Sequence, residues 1–400
     1  MSTLKLREGA PSQMVSLTYA EANALEVSEL VDIHFTAEQG RWEVQAGRKV
    51  GIARMGERTI IVEPKVSPAR MLFMMGYAQK PDFWRDEHVT VDPQLELLPA
   101  MAEAFARLAA QALGQGLLQG YVTTDEASLV LRGRLRTSEQ ISRRFGMAIP
   151  LEITYDDYTM DIAENRILLS AVLRLLTLPR LSPLARKRLL HLKLQLIDVT
   201  PLTKGAPIPK WQASRLNLRY QPALHFAELV LAGGSFEHEV GNLTITGYSF
   251  DMWKIFEDFV CVALKESLAS RGLIGYLQSG VALDLAGNVG MKPDFVVRDG
   301  NGAIAVADSK YKMEKPSGFP HADVYQLLAY CTALRLSAGH LIYAKGESYV
   351  ITHTIENAGV RISCHVLDIA QEPVELLSAI DDLAALIVSP RLTSSLGKSA

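Results

Sequence analysis

The chain has 400 residues, 48% of them hydrophobic and 21% charged, with a formal net charge of −3. At about 100–200 residues per domain, this length predicts two or three domains, and the composition excludes a mostly disordered chain. Uninterrupted apolar runs stay short of the roughly 18 residues that a membrane span needs. Met1–Ala10 carries Lys5, Arg7 and Glu8 and has no apolar core of a secretory signal. The three cysteines, Cys261, Cys331 and Cys364, are far apart and form no CxxC pair. Neither a disulfide framework nor a zinc knuckle is supported, and a reduced, cytoplasmic protein without membrane contact is expected.

The small net charge hides an uneven distribution. Between Gly120 and Tyr220 there are 16 Lys and Arg against 9 Asp and Glu, whereas Thr246–Ala400 holds 13 against 17. The basic middle section fits either polyanion contact or a solvated helical face. The acidic C-terminal section binds nucleic acid poorly on charge alone.

In chain order, Arg41–Ile61 alternates in short runs broken by Gly47, Gly51 and Gly56, the pattern of a β meander. Ser67-Pro68 then opens a helix, with Ser as N-cap and Pro in the first turn. The Met71, Leu72, Met74 and Met75 stripe that follows reads as core packing, with a partner surface as the alternative. A second helix is expected over about 93–112. The middle section predicts a strand over Ser128–Leu135 and helices over Asp161–Leu176 and Ser182–Leu196. A helix over about Ser249–Ala269 begins the third section. Strands are then expected at Val281–Leu285, Asp294–Arg298 and Ala303–Lys310, the last two joined by Asp299-Gly300-Asn301-Gly302, a strong hairpin signal. A helix over about Ala322–Leu336 and strands near His340–Ala344, Tyr349–Thr354 and Arg361–Leu367 complete an α/β section. The tail after Pro390 is expected to fray.

The informative stretch is Met291–Met313. Strand side chains alternate with period two, so Asp308 and Lys310 face one side. Antiparallel pairing across the hairpin brings Asp294 beside them. Two hard carboxylates suit Mg²⁺, and the lysine stabilises developing negative charge, which is the equipment of metal-assisted phosphodiester hydrolysis. An acidic-x-Lys triplet alone carries little information; Glu63-Pro64-Lys65 is a decoy whose Pro suits a ladder strand poorly. Context distinguishes Asp308-Ser309-Lys310: a Pro-Asp upstream, a hairpin, and the apolar AIAVA run leading in. On the preceding helix Glu257 interrupts an apolar stripe of Trp253, Val260, Cys261 and Leu264, so it needs a cation, a metal or a donor unless it reaches water at the helix edge. Gln326 and Tyr330, at i and i+4, share a face of the later helix. Other chemistries lack their signatures: there is no HExxH, no GxSxG, and Glu237-His238-Glu239 has no metal-ligand spacing for a helix.

Glu257, Pro293-Asp294, Asp308-x-Lys310 and Gln326-x-x-x-Tyr330 together resemble the PD-(D/E)xK nuclease superfamily, the Gln-x-x-x-Tyr element its RecB-like branch. Thr59–Ala78, Gly133-Arg134-Leu135, Tyr155–Leu169 and Phe250–Val260 resemble the McrC family, the nuclease subunits of McrBC-type modification-dependent restriction systems. The resemblance is scattered from about residue 42 to Tyr330. It implies an α+β multidomain protein: a β-rich and helical motor-docking region over 1–120, a basic, mainly helical region over 121–245, and an α/β nuclease domain over 246–400. It implies Asp294 and Asp308 as ligands of Mg²⁺ or Mn²⁺, Glu257 as a further acidic ligand or a group behind it, Lys310 as the catalytic lysine, and Gln326 and Tyr330 as groups that order the site or the DNA. The implied partners are a McrB-like AAA+ GTPase, which this chain stimulates, and methylated DNA. With no G-x-x-x-x-G-K-[ST] loop, the chain is expected to bind no nucleotide itself. Arg132, Arg134, Arg136, Arg143 and Arg144 are candidates for contact with DNA or with the motor. An autonomous RecB-like nuclease and a non-cleaving, GTPase-activating docking subunit are the alternative readings.

Overall fold

A computed structural model describes residues 2–86, 95–203, 205–240, 243–300, 302–313, 321–345 and 351–389. It is a mixed α+β protein with several sheets. Contacts divide the chain into two compact units, Met1–Leu97 with Gly234–Ala400, and Leu98–Gly233. The sequence segments 1–120, 121–245 and 246–400 do not coincide with these units, because strands from both ends of the chain share one sheet.

That sheet has five strands, in the order Ser2–Arg7, Arg58–Glu63, Lys49–Met55, Leu243–Asp251 and Gly234–Val240. The meander expected over Arg41–Ile61 appears as Arg41–Ala46, Lys49–Met55 and Arg58–Glu63. Ile60, Ile61 and Val62 are all buried, as expected of a strand covered on both faces. Lys49–Met55 pairs antiparallel with Leu243–Asp251, Gly51 opposite Ser249. Gly51 has φ +149°, and a Cβ there would lie 2.2 Å from the Tyr248 carbonyl oxygen, so only glycine permits this approach. Leu243–Asp251 runs directly into the helix Met252–Ala269. The expectation of a helix from Ser249 is corrected: residues 249–251 extend the strand because the Lys49–Met55 ladder takes up their backbone groups.

The second large sheet of this unit has six strands, in the order Ile274–Leu277, Phe295–Asp299, Gly302–Met313, Ala338–Lys345, Val360–Val366 and Ile351–Ile355. Phe295–Asp299 and Gly302–Met313 form the expected antiparallel hairpin. Asn301 of its turn lies outside the described residues, as do Tyr349, Val350 and the tail after Ser389. Gly302–Met313 and Ala338–Lys345 pair in parallel, with the helix His321–Leu334 between them in sequence. A Cβ on Gly339 would lie 2.7 Å from Cys331 Sγ, so that glycine lets this helix sit close to the sheet. Leu327, Tyr330, Cys331, Leu341, Tyr343 and Ile362 pack together there. Val281–Leu285 shrinks to a two-residue strand, Val281–Ala282, paired with Gly290–Met291.

The other unit carries the sheet of Gly120–Ser128, Leu151–Thr159 and Arg134–Leu135, with helices Leu97–Leu113, Ala163–Leu176, Pro183–Gln195 and Gln221–Ala232. The Ser128–Leu135 strand is corrected: pairing breaks over residues 129–133, and Gly133 at φ +68° turns the chain. The helix expected over about 93–112 starts at Leu97; Pro93 lies outside the described residues.

On the parallel ladder of Ala338–Lys345 and Val360–Val366, His340 Nδ1 and His365 Nε2 are 2.9 Å apart, and both side chains are buried. Burial, then the charges of His365 and Arg361, push His340 down to about 3; burial alone pushes His365 down to about 4. Both imidazoles stay neutral in the folded chain while the unfolded chain protonates near 6.5. Their contribution to stability is therefore complete above about pH 6.5 and is lost as the pH falls towards 4. Thermal unfolding followed across that window should show a loss on the order of several kcal/mol, and replacing both histidines by Phe should flatten the slope.

Candidate active site

The hairpin register carries the site. Phe295 pairs with Ala307, which sets Asp294 opposite Asp308 at the open end of the hairpin. Asp294 Oδ2 accepts from the Ser309 N–H at 2.8 Å and from Ser309 Oγ at 3.1 Å. Asp308, 2% exposed, has its side chain on the face it shares with Lys310, and its Oδ2 pairs with Lys310 Nζ. Burial, followed by the charge of Asp294, raises the Asp308 carboxyl to about 7 in spite of that ammonium. Burial pulls Lys310 down, but Asp308 and Asp294 outweigh it and hold the ammonium above the ordinary lysine value.

Each remaining predicted residue enters from a neighbouring helix. Gln326 Oε1 accepts from Lys310 Nζ at 3.0 Å. Tyr330, one turn on, is 4% exposed and points its hydroxyl at the Lys292 carbonyl, 3.5 Å away. Burial, then the Asp308 and Asp294 charges, pushes that phenol up to about 12. Glu257, 9% exposed, finds the donor its apolar stripe demanded: Gln278 Nε2, at 2.9 Å from Oε1. Burial, then Asp294, raises its pKa. All six residues border one cleft of about 630 Å³.

Gln278 carries no sequence signal, yet it ties the site together. It holds φ +46°, a left-handed backbone unusual for a side chain of its size, and its N–H donates to the Asp294 carbonyl at 2.9 Å. Glu8 is a second residue that the sequence reading missed. It borders the cleft and accepts from the Tyr311 hydroxyl at 2.8 Å, while Lys65 lies 3.9 Å from the Tyr311 ring centroid. Burial and Glu8 together raise the Tyr311 pKa.

The arginine group lies in the other unit and is largely engaged there. Arg132 pairs with Glu126 at 2.6 Å and lies over the Tyr155 ring. Arg136 contacts Asp125 and Glu139, and Arg143 and Arg144 reach the buried Glu152. Arg134 is exposed, at the start of the Arg134–Leu135 strand. For Glu237, His238 and Glu239 only the backbone, in Gly234–Val240, is described.

Among the described residues no three His, Cys, Asp or Glu side chains form a ready-made metal cage. A hard divalent cation that keeps its waters needs only one or two carboxylates. Asp294 and Asp308 supply them, and Asp308 Oδ2 is a buried oxygen with no hydrogen-bond donor beyond its ion pair to Lys310. A buried carboxyl whose proton affinity is raised by burial and by a second carboxylate beside it suits a cation of that kind.

A family model for the McrBC 5-methylcytosine restriction system component matches residues 44–344. The chain belongs to that family. The McrC resemblance read from the sequence is thus borne out, and the matched range contains every residue from Glu257 to Tyr330. This McrC-family chain is similar to a chain in the refined half-complex from the tetradecameric assembly of Thermococcus gammatolerans McrB AAA+ hexamers with bound McrC. Identity is 17% and the TM-score 0.58, over 96% of this chain and 100% of that one, so the fold is shared. A chain in the cryo-EM structure of the Thermococcus gammatolerans McrBC complex matches at 20% identity and TM-score 0.38, over 67% of this chain and 88% of that one. Among curated proteins, none matches.

Because Gln278 is the donor that lowers the Glu257 pKa against burial, Gln278→Ala should raise it further. A carbon-detected NMR titration of the Glu257 carboxyl reads that shift directly, and an unchanged midpoint would show that Gln278 does not hold this carboxylate.

Proposed function

We propose that this McrC-family chain is the Mg²⁺-dependent DNA endonuclease subunit of a modification-dependent restriction complex, with a PD-(D/E)xK site. The observation that carries the reading is the convergence of Asp294, Asp308 and Lys310 in one cleft, with Gln326 on the lysine and Gln278 on Glu257. Asp294 and Asp308 would hold the cation, and Glu257, on the same cleft and under the influence of the Asp294 charge, would add negative charge to the site. When bound there, Mg²⁺ supplies Lewis-acid neutralisation of charge on the phosphate. Lys310 offers its ammonium to the same developing charge, and Gln326 fixes the direction of that Nζ. Ser309 holds Asp294 by two hydrogen bonds, so the carboxylate keeps its orientation as the substrate arrives.

The related chain of known structure sits among McrB AAA+ hexamers with bound McrC. An AAA+ GTPase partner, stimulated by this chain, accounts for the missing phosphate loop. The resemblance implies the N-terminal region, 1–120, as the docking segment. A second support for docking lies in the other unit, where Leu129, Val130 and Leu131 are 74%, 69% and 59% exposed and Phe145 87%. Exposed apolar residues in sequence suit burial by a protein partner. The family's 5-methylcytosine system makes methylated DNA the substrate of choice.

The test is plasmid cleavage by the full chain with its AAA+ partner, GTP and Mg²⁺, on methylated and unmethylated DNA. Asp308→Ala should lower cleavage on the order of 10³-fold or more while GTP hydrolysis by the partner is still stimulated. Burial and Asp294 push the Asp308 carboxyl up to about 7 without a cation, and the proton competes with Mg²⁺ for it, so cleavage should fall as the pH drops below about 7, and the fall should move to lower pH as Mg²⁺ is raised. Cutting by the chain alone, without partner or nucleotide, would replace this reading by an autonomous nuclease. Full cutting by Asp308→Ala would overturn the site.

A further inference from the structure

We infer that Arg48, Lys292 and Trp253 form the seat of the DNA strand beside the scissile phosphate, so that the N-terminal region builds one wall of the nuclease cleft. The inference rests on the nuclease reading and names how its substrate is held. Arg48, Lys292 and Trp253 all border the cleft that contains Asp294 and Asp308. Lys310 is already committed to Asp308 and Gln326, so cations for the neighbouring phosphates must come from elsewhere.

Arg48 sits in the turn between Arg41–Ala46 and Lys49–Met55. That turn is pinned. The Gly47 N–H donates to the Leu30 carbonyl at 2.9 Å, and a Cβ on Gly47 would lie 2.8 Å from the Glu29 carbonyl oxygen. The adjacent Lys49 is spent on Glu29, at 2.6 Å. Arg48 is exposed and, among the described residues, makes no ion pair. Lys292 is likewise exposed and directly precedes Pro293-Asp294, so a phosphate it holds is next to the carboxylates.

Trp253 stands one helical turn before Glu257, on the same face, and is 50% exposed. Trp42 and Trp84, at 8% and 3%, are core residues by contrast. A half-exposed indole lining the same cleft as two exposed cations is a stacking platform for a base, whose face any sequence can offer. A second cavity that shares Arg48 and Trp253, about 560 Å³, is bordered by the Glu29–Lys49 pair and by the further carboxylates Glu26, Asp32 and Asp251. Those carboxylates repel a polyanion, so the strand ends its track at Arg48 and Trp253 and leaves past Lys292.

The experiment uses the full chain with its AAA+ partner, in two readouts. In the first, a duplex with 5-iodouracil around the cleavage position is irradiated with the Asp308→Asn chain, and the adducts are mapped by mass spectrometry. Adducts at Trp253 are expected; adducts confined to other sites would overturn the seat. In the second, cleavage is measured across salt. Arg48→Ala and Lys292→Ala should each raise KM and flatten the logarithmic salt slope by about 1. Trp253→Ala should raise KM on the order of tenfold, with Trp253→Phe restoring most of it, which a merely structural loss would not do. Wild-type KM and salt slope in all three variants, with cutting still abolished by Asp308→Ala, would overturn the seat and leave the nuclease standing. If the wild-type complex cuts nothing, the nuclease reading falls, while the adducts still decide whether DNA lies against Trp253.

Discussion

A carboxylate at 2% exposure in a central strand, Asp308, sets the terms for everything around it. Burial favours its neutral form, and Asp294 across the hairpin adds to the effect. Left alone, such a pair would be a large cost to folding. Lys310 offsets part of it from the same strand face, Gln326 steadies the lysine from a helix, and Ser309 occupies Asp294 with two donors. A second buried carboxylate, Glu257, is answered by Gln278, whose own backbone is bent into the left-handed region to reach it. Three carboxylates, each answered by its own partner, thus converge on one cleft. Such a cluster costs folding free energy that an apolar core of the same size would not.

The helix bearing Trp253 and Glu257 is aimed by a contact far away in sequence. Lys49–Met55 and Leu243–Asp251 form one antiparallel ladder, and the second strand continues straight into that helix. Gly51 allows the two backbones to approach where a Cβ would collide with the Tyr248 carbonyl. Glu8 and Lys65 on Tyr311, the residue after Lys310, bind the N-terminal strands to the same place. Met1–Leu97 is therefore part of the unit that bears the cleft.

The other unit follows a different logic. Its arginines satisfy acidic neighbours on its own sheet, Arg144 reaching the buried Glu152 and Arg132 bridging Glu126 and Tyr155. The local excess of positive charge is thereby partly spent inside the unit. Its unsatisfied feature is apolar, at Leu129–Leu131 and Phe145, where the strand expected from the sequence gives way to exposed chain.

The local chemistry was legible in the linear order of residues. Period-two spacing put Asp308 and Lys310 on one face, the Gly-rich turn fixed the hairpin and hence Asp294 opposite Asp308, and i, i+4 spacing aligned Gln326 with Tyr330. It also marked Glu257 as a carboxylate in need of a partner, because an apolar stripe cannot solvate a charge. The identity of that partner, Gln278, came from the folded chain. Gln278 sits in an irregular connection whose conformation depends on the Asp294 carbonyl, and no propensity or periodicity reports such a contact. The same holds for Glu8, Gly47 and Arg48, which reach the cleft through strand pairing between the two ends of the chain. Side-chain period is a local property of backbone geometry, whereas strand partnership across some two hundred residues is chosen by packing and by loop closure, which a linear pattern does not encode.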